Sequence, residues 1–189
     1  MAVFDTAVSK LLKREGGYVF DPKDRGGETK YGISKASYPS VDIKSLTLDE
    51  ARAIYLRDYW NPLRLSEFKD QNLAELLLDT AANMGTKTAA LYLQRAAKAL
   101  GQNIGADGKV GPMTLKAVHA ISAASLASEI VTARASRYQK IVLDDPSQKK
   151  FLKGWLSRMK EYAPKGVKVA GMLLAVAIGI LILSRRSQA

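Results

Sequence analysis

Three oxygen-bearing side chains lie close together near the start of the chain: Glu15, Asp24 and Thr29. Glu15 opens a Glu-Gly-Gly-Tyr run, and Asp24 and Thr29 belong to the stretch Asp21-Pro-Lys-Asp-Arg-Gly-Gly-Glu-Thr-Lys-Tyr-Gly32. Glu15 falls four residues after Leu11 and seven after Val8, so it continues an apolar helical face where Gly16-Gly17 stops the helix. A carboxyl group partly buried beside apolar groups has a raised pKa and can remain protonated near neutral pH. Cleaving a glycosidic bond requires such an acid beside the leaving oxygen, with a second group managing water or the cationic centre. Glu15 suits the acid. Asp24 follows nine residues later and Thr29 five beyond that, across a glycine turn able to fold them opposite Glu15. Asp24 also suits a turn former, and Thr29 a strand residue. Tyr18 and Tyr31 read equally as platforms for sugar rings or as packing.

Other chemistries find little support. The chain has no cysteine, which removes thiol nucleophiles, disulfides and cysteine-based zinc sites. Its single histidine, His119, excludes a multi-histidine metal site and reads as an ordinary helix residue. Asp107-Gly108 is a turn signal without the oxygen ligands of a calcium loop. Neither Gly-Gly pair forms a phosphate-binding pattern. Asp21 before Pro22 suits an Asx turn. Trp60, ahead of Asn61-Pro62, can line a sugar groove or fill a core. No metal or organic cofactor is expected.

The elements that must position these residues are mostly helical. Phe4, Val8, Leu11 and Leu12 share one face of a helix over residues 2–14. The glycines at Gly26-Gly27 and Tyr31-Gly32 suggest turns around a short hairpin. Thr47-Leu-Asp-Glu50 is a capping box, followed by Ala51, Ile54 and Tyr55 at helical spacing, with Asn61-Pro62 as the stop. Residues 71–84 are apolar on much of their surface (Leu73, Leu76, Leu77, Thr80, Ala81, Met84), which predicts a central helix. Further helices are predicted over residues 87–100, over 113–121 with Pro112 at the first position, and from a Ser122 or Ser125 cap to about Leu143. Pro146 opens a last one, to about Tyr162. The fold class is mainly α, a helical body with a minor β-hairpin. A soft boundary near residue 70 separates residues 1–70 from a helical region at 71–163, with a tail at 164–189.

Charge and hydropathy single out that tail. The net charge is +11, yet residues 147–189 hold nine Lys or Arg against the one acid Glu161, leaving only +3 on residues 1–146. Residues 167–183 form an apolar run broken only by Lys168, close to the short limit for a spanning helix. Its flanking Lys and Arg predict a transmembrane helix within residues 165–186 on an anionic membrane, rather than a nucleic-acid partner. The larger basic cluster precedes the run, which orients the body toward the cytoplasm. Gly171, Ala175 and Gly179 share one face of that run. The first twelve residues lack the basic start and continuous apolar core of an export signal.

The motifs carry a family resemblance. Glu followed by Asp and Thr after a helix end resembles the helix-plus-hairpin site of phage lysozymes. More closely, residues 15–18 and the Asp-Pro-x-Asp-x-Gly-Gly-x-Thr-x-Tyr-Gly-Ile pattern of residues 21–33 resemble the glycoside hydrolase family 108 N-acetylmuramidases. In that family the glutamate is taken as the catalytic acid, which carries over to Glu15. Asp79-Thr-Ala-Ala-Asn83-Met-Gly85, Leu93-Gln-Arg-Ala96 and Asp107-Gly-Lys-Val-Gly-Pro-x-Thr114 resemble the predicted peptidoglycan-binding domain that accompanies it. The resemblance spans roughly residues 4–162 and leaves out the tail.

It implies a lysozyme-like hydrolase that cuts peptidoglycan, and the missing export signal adds a setting in bacteriophage lysis or entry, where the enzyme reaches the wall by another route. Glu15 would be the acid, Asp24 and Thr29 the helpers, and Tyr18 and Tyr31 the sugar contacts. The tail would hold it in a host inner membrane or virion internal membrane, among other virion membrane proteins. The alternatives are a lytic transglycosylase and a non-catalytic wall-binding or structural virion protein.

Overall fold

The computed structural model describes residues 1–14, 16–20 and 27–165. Glu15, Asp21, Asp24 and nearly all of the expected membrane span at 165–186 lie outside the described residues. Among the described residues, no helix is long and apolar enough to cross a membrane.

Helix α1 (Phe4–Leu12) buries Ala7, Val8 and Leu11, the face read from the sequence. It ends at Leu12, two residues short of the expected limit, and a turn follows in which Arg14 N–H donates to the Leu11 carbonyl at 3.0 Å. Three short strands come next: β1 (Val19–Phe20), β2 (Glu28–Lys30) and β3 (Ile33–Ser34). They form an antiparallel sheet in the order β1-β2-β3, with Val19 opposite Thr29 and Lys30 opposite Ile33. The expected hairpin is thus extended by one strand. Tyr31 and Gly32 close the β2–β3 turn with φ of 54° and 76°. Positive φ at both central residues gives a two-residue turn whose twist matches that of the flanking strands.

Helix α2 (Leu48–Tyr55) starts at the expected capping box: the Thr47 side chain accepts from the Glu50 N–H, and the Glu50 carboxylate accepts from the Thr47 N–H. The helical path does not stop at Tyr55. It widens into a π turn (Leu56–Trp60), closed by Asn61 N–H donating to the Leu56 carbonyl at 3.0 Å. The widening turns Trp60 inward, where it is 2% exposed and meets Phe4 of α1 edge-on at 5.4 Å.

Helix α3 (Gln71–Met84) is the hub. Asp70 caps it, and every residue from 73 to 81 is buried. Each fully buried leucine there contributes about 1.5–3 kcal/mol. Against α3 pack α1, α4 (Thr86–Ala99) and α6 (Ala123–Asp144). Pro112 sits in the first turn of α5 (Pro112–His119), and Ser122 caps α6. Pro146 opens a 3-10 turn (Pro146–Gln148), so α7 (Lys149–Lys160) begins slightly later than the sequence suggests. One hydrophobic core runs continuously from Ala2 and Val8 through α3 to Ile130, Met159 and Tyr162.

Candidate active site

The sheet holds three of the sequence-predicted site residues. Thr29 lies in the middle strand, half-buried, paired with Val19 on one side and Ser34 on the other. Tyr18, just before β1, is 40% exposed, and its hydroxyl donates to Glu28 Oε1 at 2.8 Å. That hydrogen bond, above other causes, raises the Tyr18 pKa and keeps the phenol protonated. Val19 and Phe20 are also exposed, at 59% and 58%. Tyr18, Val19 and Phe20 therefore form an apolar ridge along β1. Tyr31 is half-buried against the core in the left-handed region, and its carbonyl accepts from the Tyr55 hydroxyl at 3.0 Å. Left-handed backbone at a tyrosine costs on the order of 1–3 kcal/mol and persists where neighbours over-determine it. Tyr18 thus leads into the strand beside that of Thr29, and Tyr31 sits at the far turn.

A buried ion-pair cluster reaches Arg14, the residue before the expected acid; the Asp79 motif was legible in the sequence, but its arginine partners were not. Asp79, 1% exposed on α3, faces three guanidinium groups. Arg134 Nη1 of α6 donates to its Oδ2 at 2.8 Å, and Arg158 Nε of α7 donates to Oδ1 at 2.5 Å. Arg14 Nη1 approaches Oδ1 at 3.4 Å and donates to the Tyr162 hydroxyl at 2.7 Å. Arg14 also pairs with Glu161. Burial works against the Arg14 charge, but Tyr162, Glu161 and Asp79 outweigh it and raise the Arg14 pKa. Burial, and then Asp79, push the Tyr162 pKa upward, so its hydroxyl stays neutral. Lys10 lies 4.7 Å from the Tyr162 ring centroid and pairs with Glu75 at 2.8 Å. The C-terminal end of α1 is therefore tied to α3 and to the segment after α7.

A second cluster explains the later motifs. Gln94 is 1% exposed, and its side-chain amide donates to Asp107 Oδ1, the Lys109 carbonyl and Thr114 Oγ1 at 2.8, 2.9 and 3.2 Å. Its Oε1 accepts from Gly108 N–H at 2.9 Å. The Gln94 hydrogen bond, followed by that from Lys109 N–H, holds the Asp107 carboxyl below the usual range. These residues lock a loop. Among the described residues no group of carboxylates and histidine is placed to hold an ion.

Comparison with known proteins finds a likeness for each half. A family model described as Glycosyl hydrolase 108 matches residues 2–85. The first half of the chain is similar to that family. A model described as Predicted Peptidoglycan domain matches residues 88–160. Among solved structures, that of Brucella abortus SagA is similar at a TM-score of 0.70 and 28% identity, covering 90% of this chain and 94% of that one. No curated protein matches. The two family matches and the SagA likeness support a peptidoglycan-related hydrolase with peptidoglycan as partner.

Three features lay beyond the sequence reading. The Asp79 cluster joins residues far apart in the chain. Only its burial on an otherwise apolar helix hinted at a partner, because a carboxylate is almost never buried unpaired. The exposed ridge was foreshadowed by three consecutive apolar residues, Tyr18, Val19 and Phe20, at a glycine turn. Glu28 takes part through Tyr18, and nothing in its spacing singled it out.

Proposed function

We propose that the chain is a lysozyme-type N-acetylmuramidase, with Glu15 as general acid. The observation that carries this reading is the Glycosyl hydrolase 108 match over residues 2–85, which includes the Glu15-Gly-Gly-Tyr18 run and the Asp-to-Thr stretch after it. Glu15 gives its proton to the glycosidic oxygen as the bond from the sugar's anomeric carbon breaks. Asp24 or Thr29 steadies the oxocarbenium-like centre or the water that attacks it, and that water's proton leaves to a carboxylate. Tyr18 and Tyr31 contact the sugar, in keeping with the exposed Tyr18 ridge and the constrained Tyr31 turn. Residues 1–70 carry the reaction and residues 71–163 bind the wall. Neither metal nor organic cofactor takes part.

In Glu15→Gln, release of new reducing ends from purified peptidoglycan should fall at least a hundredfold with an unchanged circular dichroism spectrum. Wild-type-like release by that variant would sink the assignment. Products ending in reducing muramic acid mark a hydrolase, whereas anhydro-muramoyl ends in the mass spectrum mark a transglycosylase.

The setting we propose is bacteriophage lysis or entry. Its support is the apolar, basically flanked run at residues 167–183, which suits an anchor in a host inner membrane or virion internal membrane beside other virion proteins. Deleting residues 165–189 should move the protein from the membrane pellet to the supernatant; unchanged partitioning would refute the anchor. A wall-binding role without catalysis draws on the separate match over residues 88–160. It predicts binding to sacculi with no new reducing ends.

A further inference from the structure

We infer that a cavity at the seam of α3, α6 and α7 is a binding subsite for a muramyl-peptide unit, an inference that rests on the peptidoglycan reading above. The cavity holds about 220 Å3 and is lined by Asn83, Met84, Arg137, Tyr138, Ile141 and Trp155. Pockets for drug-sized ligands run to about 300–1,000 Å3, so this one suits a single ring with its substituents.

Its chemistry is specific. Trp155 stacks on buried Tyr138 at 4.9 Å and 22°, and the Phe151 ring lies 5.9 Å from it at a tilt of 31°. Tyr138 is itself fixed, since its hydroxyl accepts from Arg134 Nη2 at 2.9 Å. Trp155 is therefore rigid, and it stays half-buried where it meets the cavity. Asn83 donates its side-chain N–H to the Asp79 carbonyl at 2.7 Å, which points the amide and leaves Oδ1 to accept. Arg137 is exposed and has no carboxylate partner among the described residues. No acid lines the cavity. An indole with Met84 and Ile141 offers apolar surface for a sugar face. The amide oxygen can take an acetamido N–H, and the guanidinium can take a carboxylate. An N-acetylated amino sugar carrying a peptide carboxylate satisfies all three groups. A neutral oligosaccharide leaves Arg137 unmatched.

The position fits as well. Asn83 follows Asp79 by one turn of α3, Tyr138 follows Arg134 by one turn of α6, and Trp155 precedes Arg158 by about one turn of α7. Four helical residues rise about 6 Å. All three helices thus step together from the Asp79 cluster to the cavity. That cluster also holds Arg14, the residue before Glu15. The cavity straddles the two matched segments, with Asn83 and Met84 in the first and the rest in the second.

The test uses full-length protein bearing Glu15→Gln, so that ligand is not consumed. The chain has two tryptophans, and Trp60 is 2% exposed, so iodide quenching of fluorescence reads mainly Trp155. The probes are the disaccharide N-acetylglucosaminyl-N-acetylmuramyl tetrapeptide and tetra-N-acetylchitotetraose. The tetrapeptide probe should protect Trp155, with at least tenfold tighter binding than the neutral sugar. Arg137→Ala should weaken it about tenfold, and Arg137→Lys should recover part of the loss. No protection, equal affinity for the two probes, or an unaffected Arg137→Ala would each overturn the assignment. Muropeptide release by the wild type is scored separately. Release with a silent Trp155 sinks the subsite alone, and protection without release sinks the hydrolase reading alone.

Discussion

Asp79 is one buried carboxylate serving three arginines, and the arginines are not equivalent. Arg134 is fully buried, whereas the side chains of Arg14 and Arg158 are about one-fifth exposed. Without Asp79, water can still solvate part of Arg14 and Arg158, but Arg134 would keep only Thr80 Oγ1 and the Tyr138 hydroxyl. Its Nε is already buried without a hydrogen-bond partner among the described residues. Stranding a buried charge costs about 3–5 kcal/mol. Asp79→Ala should therefore lower stability by that amount and the melting temperature by about 6–20 °C, read by denaturant and thermal unfolding. A loss below about 1 kcal/mol would mean that the cluster is a surface network. The same substitution removes one of the three partners of Arg14, which keeps the Tyr162 hydroxyl and Glu161, and so loosens the hold on the residue before Glu15. Reducing-end release by the folded fraction should fall even where stability is restored with a stabilising osmolyte.

At the scale of elements, what was legible was local. The Thr47–Glu50 capping box, Pro112 in the first turn of α5 and the Ser122 cap each depend on residues within one turn, and each is present as read. Removing the cap oxygen in Thr47→Ala should cost about 1 kcal/mol in denaturant unfolding. The π turn after Tyr55 was not legible, because it is imposed by Trp60 reaching Phe4 across the core. Nor was the third strand, since β3 is two residues long and depends on the Tyr31-Gly32 turn. Of the expected site, the structure describes Tyr18, Thr29 and Tyr31, while Glu15 and Asp24 rest on sequence. The Asp107 loop combines both kinds of signal. Its glycine turn was plain, but the Gln94 that locks it sits 14 residues from Gly108. Gly108 has φ of +79°, so Gly108→Ala should destabilise the loop by about 1–2 kcal/mol through backbone strain, and a Cβ there would lie 2.8 Å from Lys87 Cγ, which must also give way. The Asp107 pKa is lowered from 3.8 in the folded protein, so its contribution is full above that value and is lost as pH falls through the lower folded one. The protection factors of the Gly108 and Lys109 N–H groups, taken against intrinsic exchange at each pH, should fall below about pH 3.8, and Asp107→Asn should remove that pH dependence.

The molecule as a whole joins its two family-matched segments through α3. That helix lies in the first segment, yet α4 and α6 from the second pack against it, as does α1. Asp79 draws two of its three arginines, Arg134 and Arg158, from the second segment. Asn72 of α3 also donates to the Tyr162 carbonyl at 3.1 Å, beyond the end of α7. A polypeptide of residues 1–87 would therefore expose the α4- and α6-facing leucines of α3 and leave Asp79 with Arg14 alone. Each exposed leucine forfeits about 1.5–3 kcal/mol, and a few such losses exceed the 5–15 kcal/mol by which a domain is stable. The 1–87 fragment should show helical far-ultraviolet dichroism at most, no cooperative thermal transition and no release of reducing ends from peptidoglycan. Cooperative unfolding of that fragment would make the segments separable domains. If they are inseparable, a rigid path links the end of α1 to the α6–α7 surface. A glycan bound on that surface is then held in fixed register with the proposed acid, Glu15, and inserting a flexible linker between α3 and α4 should lower kcat on sacculi while leaving wall binding in place.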